Sequence, residues 1–227
     1  TIRALRHHGG AEKEQYGAVS LERVQAGFPN LEKHIENAKQ FGITPVVAIN
    51  HRTGDGEDEI KFVQEACAKM GVKAVVSMGW ANGGEGTSDL AREVVANIEN
   101  AGNAFKPLYD WNATIEEKVE TIAKKVYGAD GVDYQGKALI DLKRLYKLGL
   151  DKLPICMAKT QKSFSDNDKL IGRPTGFRVT VREIEFAAGA GFIIPITGAM
   201  MRMPGLPPVP ASEHMDIDND GVISGLS

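Results

Sequence analysis

Only two cysteines, Cys67 and Cys156, occur in the 227 residues, and no C-x-x-C or His-Cys cluster surrounds either. Both read as buried free thiols, which leaves no disulfide framework and fits a reducing compartment. The five histidines, His7, His8, His34, His51 and His214, lack zinc-ligand spacing. No apolar run approaches ~20 residues and no charged-plus-apolar leader opens the sequence, so no membrane partner is expected and the location reads as cytoplasmic. Charge of one sign is also missing. Twenty-seven Lys and Arg against thirty Asp and Glu give a net charge of -3, which gives nucleic acid or an anionic membrane no bulk attraction. Neither an internal repeat nor a low-complexity segment is present. An initiating Met is absent too, and residues 1–5 read as the interior of an element, so a piece of a larger protein is expected.

What is present is an ordinary globular balance, 42% hydrophobic and 25% charged, arranged as alternating helix and strand patterns. The central element is residues 43–50, I-T-P-V-V-A-I-N, an apolar run that ends abruptly in Asn50-His51-Arg52-Thr53-Gly54-Asp55-Gly56. It reads as a central strand of a mostly parallel sheet, covered on both faces. Loops at the carboxyl ends of such strands gather to bind ligands, which makes 50–56 the first segment of a ligand rim. Ahead of it, Ser20 caps a short helix through Val24, and Pro29 begins a second helix with Leu31, Ile35 and Ala38 on one face. Behind it come a helix over 57–70, a strand over 72–77, a second rim loop over 78–86, and a helix carrying Leu90, Val94, Val95 and Ile98 inward.

A connector over 100–111 offers Phe105, Pro107, Tyr109 and Trp111 as anchors. Thr114-x-x-Glu117 is a capping box, opening an amphipathic helix with Ile115, Val119, Ile122 and Val126. A helix over 137–148 stops at Gly149. Strand character returns at 153–158, at 177–181 with alternating exposure, and at 192–196, after a turn near 187–191. The proline-rich 204–210 is irregular. The division expected is residues 1–110 as part of a central α/β domain that includes the Trp80 loop, and 111–227 as a C-terminal α/β region.

Three stretches carry candidate chemistry. Lys159-Thr160-Gln161-Lys162-Ser163 joins cations to hydroxyl donors beyond a strand without forming a Walker A sequence, and a solvated loop is its plain alternative. Arg173-Pro174-Thr175-Gly176 puts an Arg on a constrained turn, where it can hold a carboxylate or phosphate bidentately. Trp80, between Gly79 and a loop rich in Gly and Asn, is either the wall of a planar-ligand site or an ordinary packing residue. Residues 216–223, D-I-D-N-D-G-V-I, resemble the start of a calcium loop, but Ser227 stands where the bidentate Glu belongs. The acidic residues show no paired acid and base by spacing. A guanine-reading role for Asn50 lacks both a phosphate loop and the Asp that would have to follow.

The strings L-E-K-H-I-E-N at 31–37, V-V-A-I-N at 46–50, W-A-N-G-G-E-G at 80–86, Y-G-A-D at 127–130 and C-M-A-K-T-Q-K-S-F-S-D at 156–166 resemble formate tetrahydrofolate ligase. G-R-P-T-G-F, A-G-A-G-F-I and M-P-G-L-P continue the likeness, which covers essentially the whole chain but the C-terminal portion of a family member. The resemblance implies a P-loop-NTPase-like ligase fold without its P-loop portion. It further implies ATP-dependent joining of formate to tetrahydrofolate through formyl phosphate, with magnesium accompanying ATP, a monovalent cation as activator, no tightly bound organic cofactor, and a homo-oligomer. Trp80 falls on the family's folate-wall tryptophan. Arg52 stands where the family has Phe, and either covers an aromatic ring or meets the folate glutamate carboxylate. Lys159, Thr160 and Arg173 are retained motif residues, while Pro204, Gly205, Leu206 and Pro207 shape a cleft edge. The phosphate machinery is expected in an N-terminal ligase region that must act with this chain, so the chain alone is expected to be inactive. The alternative is a noncatalytic folate-binding or assembly module.

Overall fold

The computed structural model describes residues 1–101, 104–200 and 208–225, with the side chains of 101 and 211 excepted. The first half opens with α1 (Ile2–His8) laid against α2 (Leu21–Gln40). The two backbones meet so closely that a Cβ on Gly27 would lie 1.9 Å from the Leu5 carbonyl oxygen. Helix α2 is one continuous helix, contrary to the expected break at Pro29. Ser20 caps it, as its position predicts, and Pro29 sits inside. The buried stripe of Val24, Phe28 and Ile35 runs through the proline, and its packing against α1 outweighs the single backbone bond that proline removes.

Strand β1 (Val47–Asn50), helix α3 (Glu57–Lys69) and strand β2 (Ala74–Ser77) form a β-α-β crossover. The strands pair in parallel with Asn50 opposite Ser77, so their carboxyl ends lie side by side. The strand expected over 43–50 is shorter than predicted and is not covered on both faces. Ile49 alone is buried, whereas Ala48 and Asn50 are exposed. Pro45, with no N–H to donate, lies just outside the ladder, which begins with Val47. A core of Ile2, Leu5, Val24, Phe28, Ile35, Ile49, Val63, Cys67 and Val72 holds this half together.

The second rim loop is partly helical, with α4 at Gly79–Asn82 leading to α5 (Ser88–Ala101). Val94, Val95 and Ile98 do not point inward as expected, and Ile98 is 70% exposed. Downstream, Phe41 and Phe105 stack 6.2 Å apart and the Tyr109 hydroxyl accepts the Ile155 amide at 3.0 Å, so two of the four expected anchors engage directly.

Helix α6 (Ile115–Ile122) begins at the predicted Thr114–Glu117 capping box. It runs into a π turn (Ala123–Tyr127) that ends at left-handed Gly128. Strand β3 (Gly131–Tyr134), helix α7 (Gly136–Lys147), strand β4 (Arg178–Ala187) and strand β5 (Phe192–Thr197) complete the second half. Strands β3 and β4 are parallel, and β4 and β5 antiparallel. Residues 154–158 run parallel to β5 through bridges at Ile155 and Ala158. A two-residue hairpin, β6 (Asp216–Ile217) and β7 (Ile223–Ser224), follows. The α/β class is therefore correct, but in place of one mostly parallel sheet the described residues form three small sheets of mixed direction.

One smaller expectation changes. Cys67 is a buried free thiol, its pKa pushed up to about 11 by burial, but Cys156 is exposed. His7 and His8 close helix α1. Among the described residues no helix is long and apolar enough to cross a membrane.

Candidate functional site

The rim forms where the parallel pair ends. The loop after β1 carries Arg52 and the turn after β2 carries Trp80, which is 54% exposed. The Trp80 indole N–H donates to the His51 carbonyl at 2.9 Å, so the ring of one loop is oriented by the backbone of the other. The Arg52 guanidinium lies over that ring, 5.3 Å from its centroid, and forms no carboxylate pair among the described residues. Asp55 accepts the Arg52 amide through Oδ2 at 2.8 Å, while its Oδ1 is buried with no hydrogen-bond partner among the described residues. An exposed aromatic plane, a cation and a free acceptor thus occupy one short rim.

This rim stands on a buried ion pair. Arg6 and Glu59 are both inaccessible, and Arg6 donates through Nε and Nη2 to the two carboxylate oxygens at 2.8 and 2.5 Å. Arg6 also donates to the carbonyls of Tyr16 and Gly54, while Glu59 accepts the amides of Ser20 and Gly56. Burial works to raise the Glu59 pKa, but the Arg6 and backbone hydrogen bonds outweigh it and hold the carboxyl below its usual range. A fully satisfied pair of this kind fixes the loop backbone on which Arg52 is mounted. No pairwise spacing in the sequence marks it.

The second cluster centres on Lys159. Its ammonium donates to the Thr160 carbonyl at 2.8 Å and to the Ser163 carbonyl, and sits over the Tyr127 ring, 5.0 Å from the centroid. Burial pushes its pKa down to about 8, against the pull of Asp166. The Thr160 hydroxyl accepts the Lys162 amide and shapes the loop. Tyr127 reaches this position from the π turn, whose last carbonyls are held by α2. Lys33 and Gln40 donate to the Lys125 carbonyl, and Asn37 to that of Val126. One turn earlier on α2, Asn30 donates to the Gly172 carbonyl while His8 Nδ1 accepts the Gly172 amide. A polar stripe on α2 thus sets the backbone of the π turn that carries Tyr127 and of Gly172, the residue before Arg173. The sequence signal for it was four amide or amine side chains, Asn30, Lys33, Asn37 and Gln40, beside the apolar stripe.

Arg173 holds a carboxylate bidentately, as its turn suggested, but the carboxylate is Glu36 of the same chain, at 2.9 and 2.7 Å, with Glu32 adding a third bond at 3.0 Å. Its fork is therefore engaged at the outer face of α2. Pro204, Gly205, Leu206 and Pro207 lie outside the described residues. The acidic run at 216–223 forms a turn in which Asp218 Oδ1 accepts the amides of Asp220 and Val222, and no metal-binding group of three or more His, Cys, Asp or Glu occurs among the described residues.

Residues 131–137, G-V-D-Y-Q-G-K, have the spacing of a phosphate loop up to its Lys, with Ala138 in place of Ser or Thr. The structure removes that reading. Gly131 to Tyr134 is strand β3 and α7 begins at Gly136, so no loop is left to cradle phosphate, and Lys137 pairs with Glu183.

Parallel strand ends carrying an oriented aromatic plane, and a half-buried lysine set over the Tyr127 ring that α2 helps place, are the candidate binding features of this α/β protein. The family model for formate–tetrahydrofolate ligase matches residues 1–227. The chain belongs to that family, whose chemistry joins formate to tetrahydrofolate.

Proposed function

We propose that this chain supplies the folate-facing part of an ATP-dependent ligase that makes 10-formyltetrahydrofolate. In this reading a formate oxygen attacks the γ-phosphorus of ATP, the bond to the ADP oxygen breaks, and formyl phosphate forms. The folate N10 lone pair then attacks the formyl carbon, phosphate leaves, and the N10 proton is lost. ATP thereby turns a poor acyl donor into one with a good leaving group. The observation that carries the reading is the Trp80 ring, exposed yet fixed by its bond to His51, beside Arg52. A flat heteroaromatic ring stacks on such a plane, and the guanidinium answers a carboxylate.

Lys159 and Arg173 serve in this reading as the cations and Thr160 as a hydroxyl facing charged substrate groups, Arg173 by exchanging Glu36 and Glu32 for a substrate carboxylate or phosphate, and Pro204, Gly205, Leu206 and Pro207 complete the proposed substrate-binding set. Magnesium enters with ATP, whose phosphates supply the hard oxygen ligands it favours. A monovalent cation and a homo-oligomeric assembly belong to the same reading.

The closed-off Gly131–Lys137 stretch favours a second reading, in which these 227 residues bind folate or assemble with the phosphate-binding region but do not turn over ATP by themselves. Titration with tetrahydrofolate in a Trp111→Phe background, following Trp80 fluorescence, tests the shared part; a flat response removes the folate wall. Coupled turnover with formate, ATP and tetrahydrofolate separates the two readings, since robust turnover by the 227-residue chain excludes the second.

A further inference from the structure

Between α2 and the Lys159 loop lies a cavity of about 270 Å³ whose lining contains two histidines and two lysines and no carboxylate. We propose that this cavity is an oxyanion site, for a phosphate or a carboxylate group, lined by His8, His34, Lys159, Thr160, Gln161 and Lys162. The inference rests on the reading above in which the Lys159 loop faces a charged part of a substrate. It adds the two histidines and the chemistry they share.

His8 Nδ1 accepts the Gly172 amide at 3.0 Å and so carries no proton. The proton of the neutral ring is therefore on Nε2, which is a donor. His34 lies with its ring 4.6 Å from that of Phe164 and makes no hydrogen bond among the described residues. The Lys159 ammonium is fixed by the Thr160 and Ser163 carbonyls and the Tyr127 ring, and forms no ion pair among the described residues. Lys162 stands 3.7 Å from Asp168, which lies outside the cavity lining.

The electrostatics of these groups agree with the geometry. Burial lowers the His8 pKa to about 4, with His7 and His34 adding to the effect, and burial together with the Lys159 charge lowers that of His34. Asp166 opposes the shift at Lys159 without lining the cavity, and its Oδ2 is occupied by the Thr180 amide. Residues with donor groups thus line a space whose walls carry no carboxylate. An anion there favours the charged forms that burial disfavours.

Histidine ring resonances of the 227-residue chain, recorded by NMR at pH 7 during separate titrations with inorganic phosphate and glutarate, test the proposal. The expected result is a saturable shift of His8 and His34 with His214 unmoved, and a rise in the His34 pKa. Phosphate alone acting identifies a phosphoryl source; glutarate alone acting identifies a carboxylate tail. Lys159→Met with Lys162→Met raises the Kd on the order of tenfold. No saturable response of His8 and His34 to either anion overturns the proposal, as does unchanged affinity in the double variant. The tetrahydrofolate response of Trp80 is read on the same sample. Its survival when anion binding fails rejects the cavity alone, and its loss while anion binding persists rejects the folate wall.

Discussion

The Arg52 guanidinium covers the Trp80 ring at 5.3 Å although the two residues follow different strands. The contact exists because β1 and β2 are parallel and in register to their last residues, Asn50 and Ser77, which delivers both loops to the same edge. The indole N–H bond to His51 then fixes the plane that Arg52 meets. Attraction of this type at an exposed site is worth about 0.5 to 1 kcal/mol, enough to order the pair yet weak enough for a stacking ligand to displace it.

Replacing Trp80 with Ala is expected to weaken tetrahydrofolate binding by about 1 to 3 kcal/mol, or roughly 5- to 150-fold, the range for one ring stacked on an aromatic side chain. Because the ring is 54% exposed, the unfolding midpoint should barely move. Calorimetric titration alongside a urea melt checks both, and a large stability loss with unchanged affinity would make Trp80 a packing residue.

Arg6→Leu leaves the Glu59 carboxylate buried without its main partner, which costs about 3 to 5 kcal/mol of stability. The pH dependence follows from the lowered Glu59 pKa. The unfolded carboxyl titrates near 4.5 and the folded one below that, so its contribution is complete above 4.5 and disappears as pH falls through the folded value. Urea midpoints of wild type and Glu59→Gln should therefore differ most near neutrality and converge in acid. A gap that widens on acidification would contradict this account.

Sequence patterning revealed the elements whose causes are local. The Ser20 cap, the Thr114–Glu117 box and the alternating β4 residues Val179 and Val181 each depend on neighbours within a few positions. The exposed apolar face of α5 was not legible. Val95 and Ile98 have helical spacing that announces a buried stripe, but spacing does not say what lies opposite. Pro29 misled for the converse reason, since packing of α2 on α1 outweighs a local helix-breaking preference. At the site, Trp80 and Lys159 drew notice through composition. Their supports, Tyr127, Asn30, Asn37 and the Arg6–Glu59 pair, act between residues as far apart as Asn30 and Gly172, where no sequence period reports them.

Asn30→Leu and Asn37→Leu each remove a buried donor and leave a backbone carbonyl without its partner, at about 1 to 3 kcal/mol apiece. The local readouts differ. Asn37→Leu should loosen the π turn and raise amide exchange around residues 123–129, and Asn30→Leu should do so around Gly172. Equal exchange across the whole chain in both variants would indicate general destabilisation instead of two separately held loops.

Lys159 gives the pH prediction of opposite sense. Its folded pKa of about 8 lies below the ordinary 10.5 because burial disfavours the ammonium. Between those values the unfolded chain binds more protons at this position than the folded one, so stability from this group rises with pH across that window. Below about pH 8 both states are protonated and the slope vanishes. Lys159→Met should lack the rise, and urea midpoints at pH 7, 8, 9 and 10 measure it as a difference from wild type that grows with pH. The carbonyl cage of Thr160 and Ser163 and the Tyr127 ring hold the ammonium in its charged form. Tyr127→Leu should therefore lower the Lys159 pKa further and move the start of the rise to lower pH. An unchanged onset would show that the ring contact does not stabilise the charge.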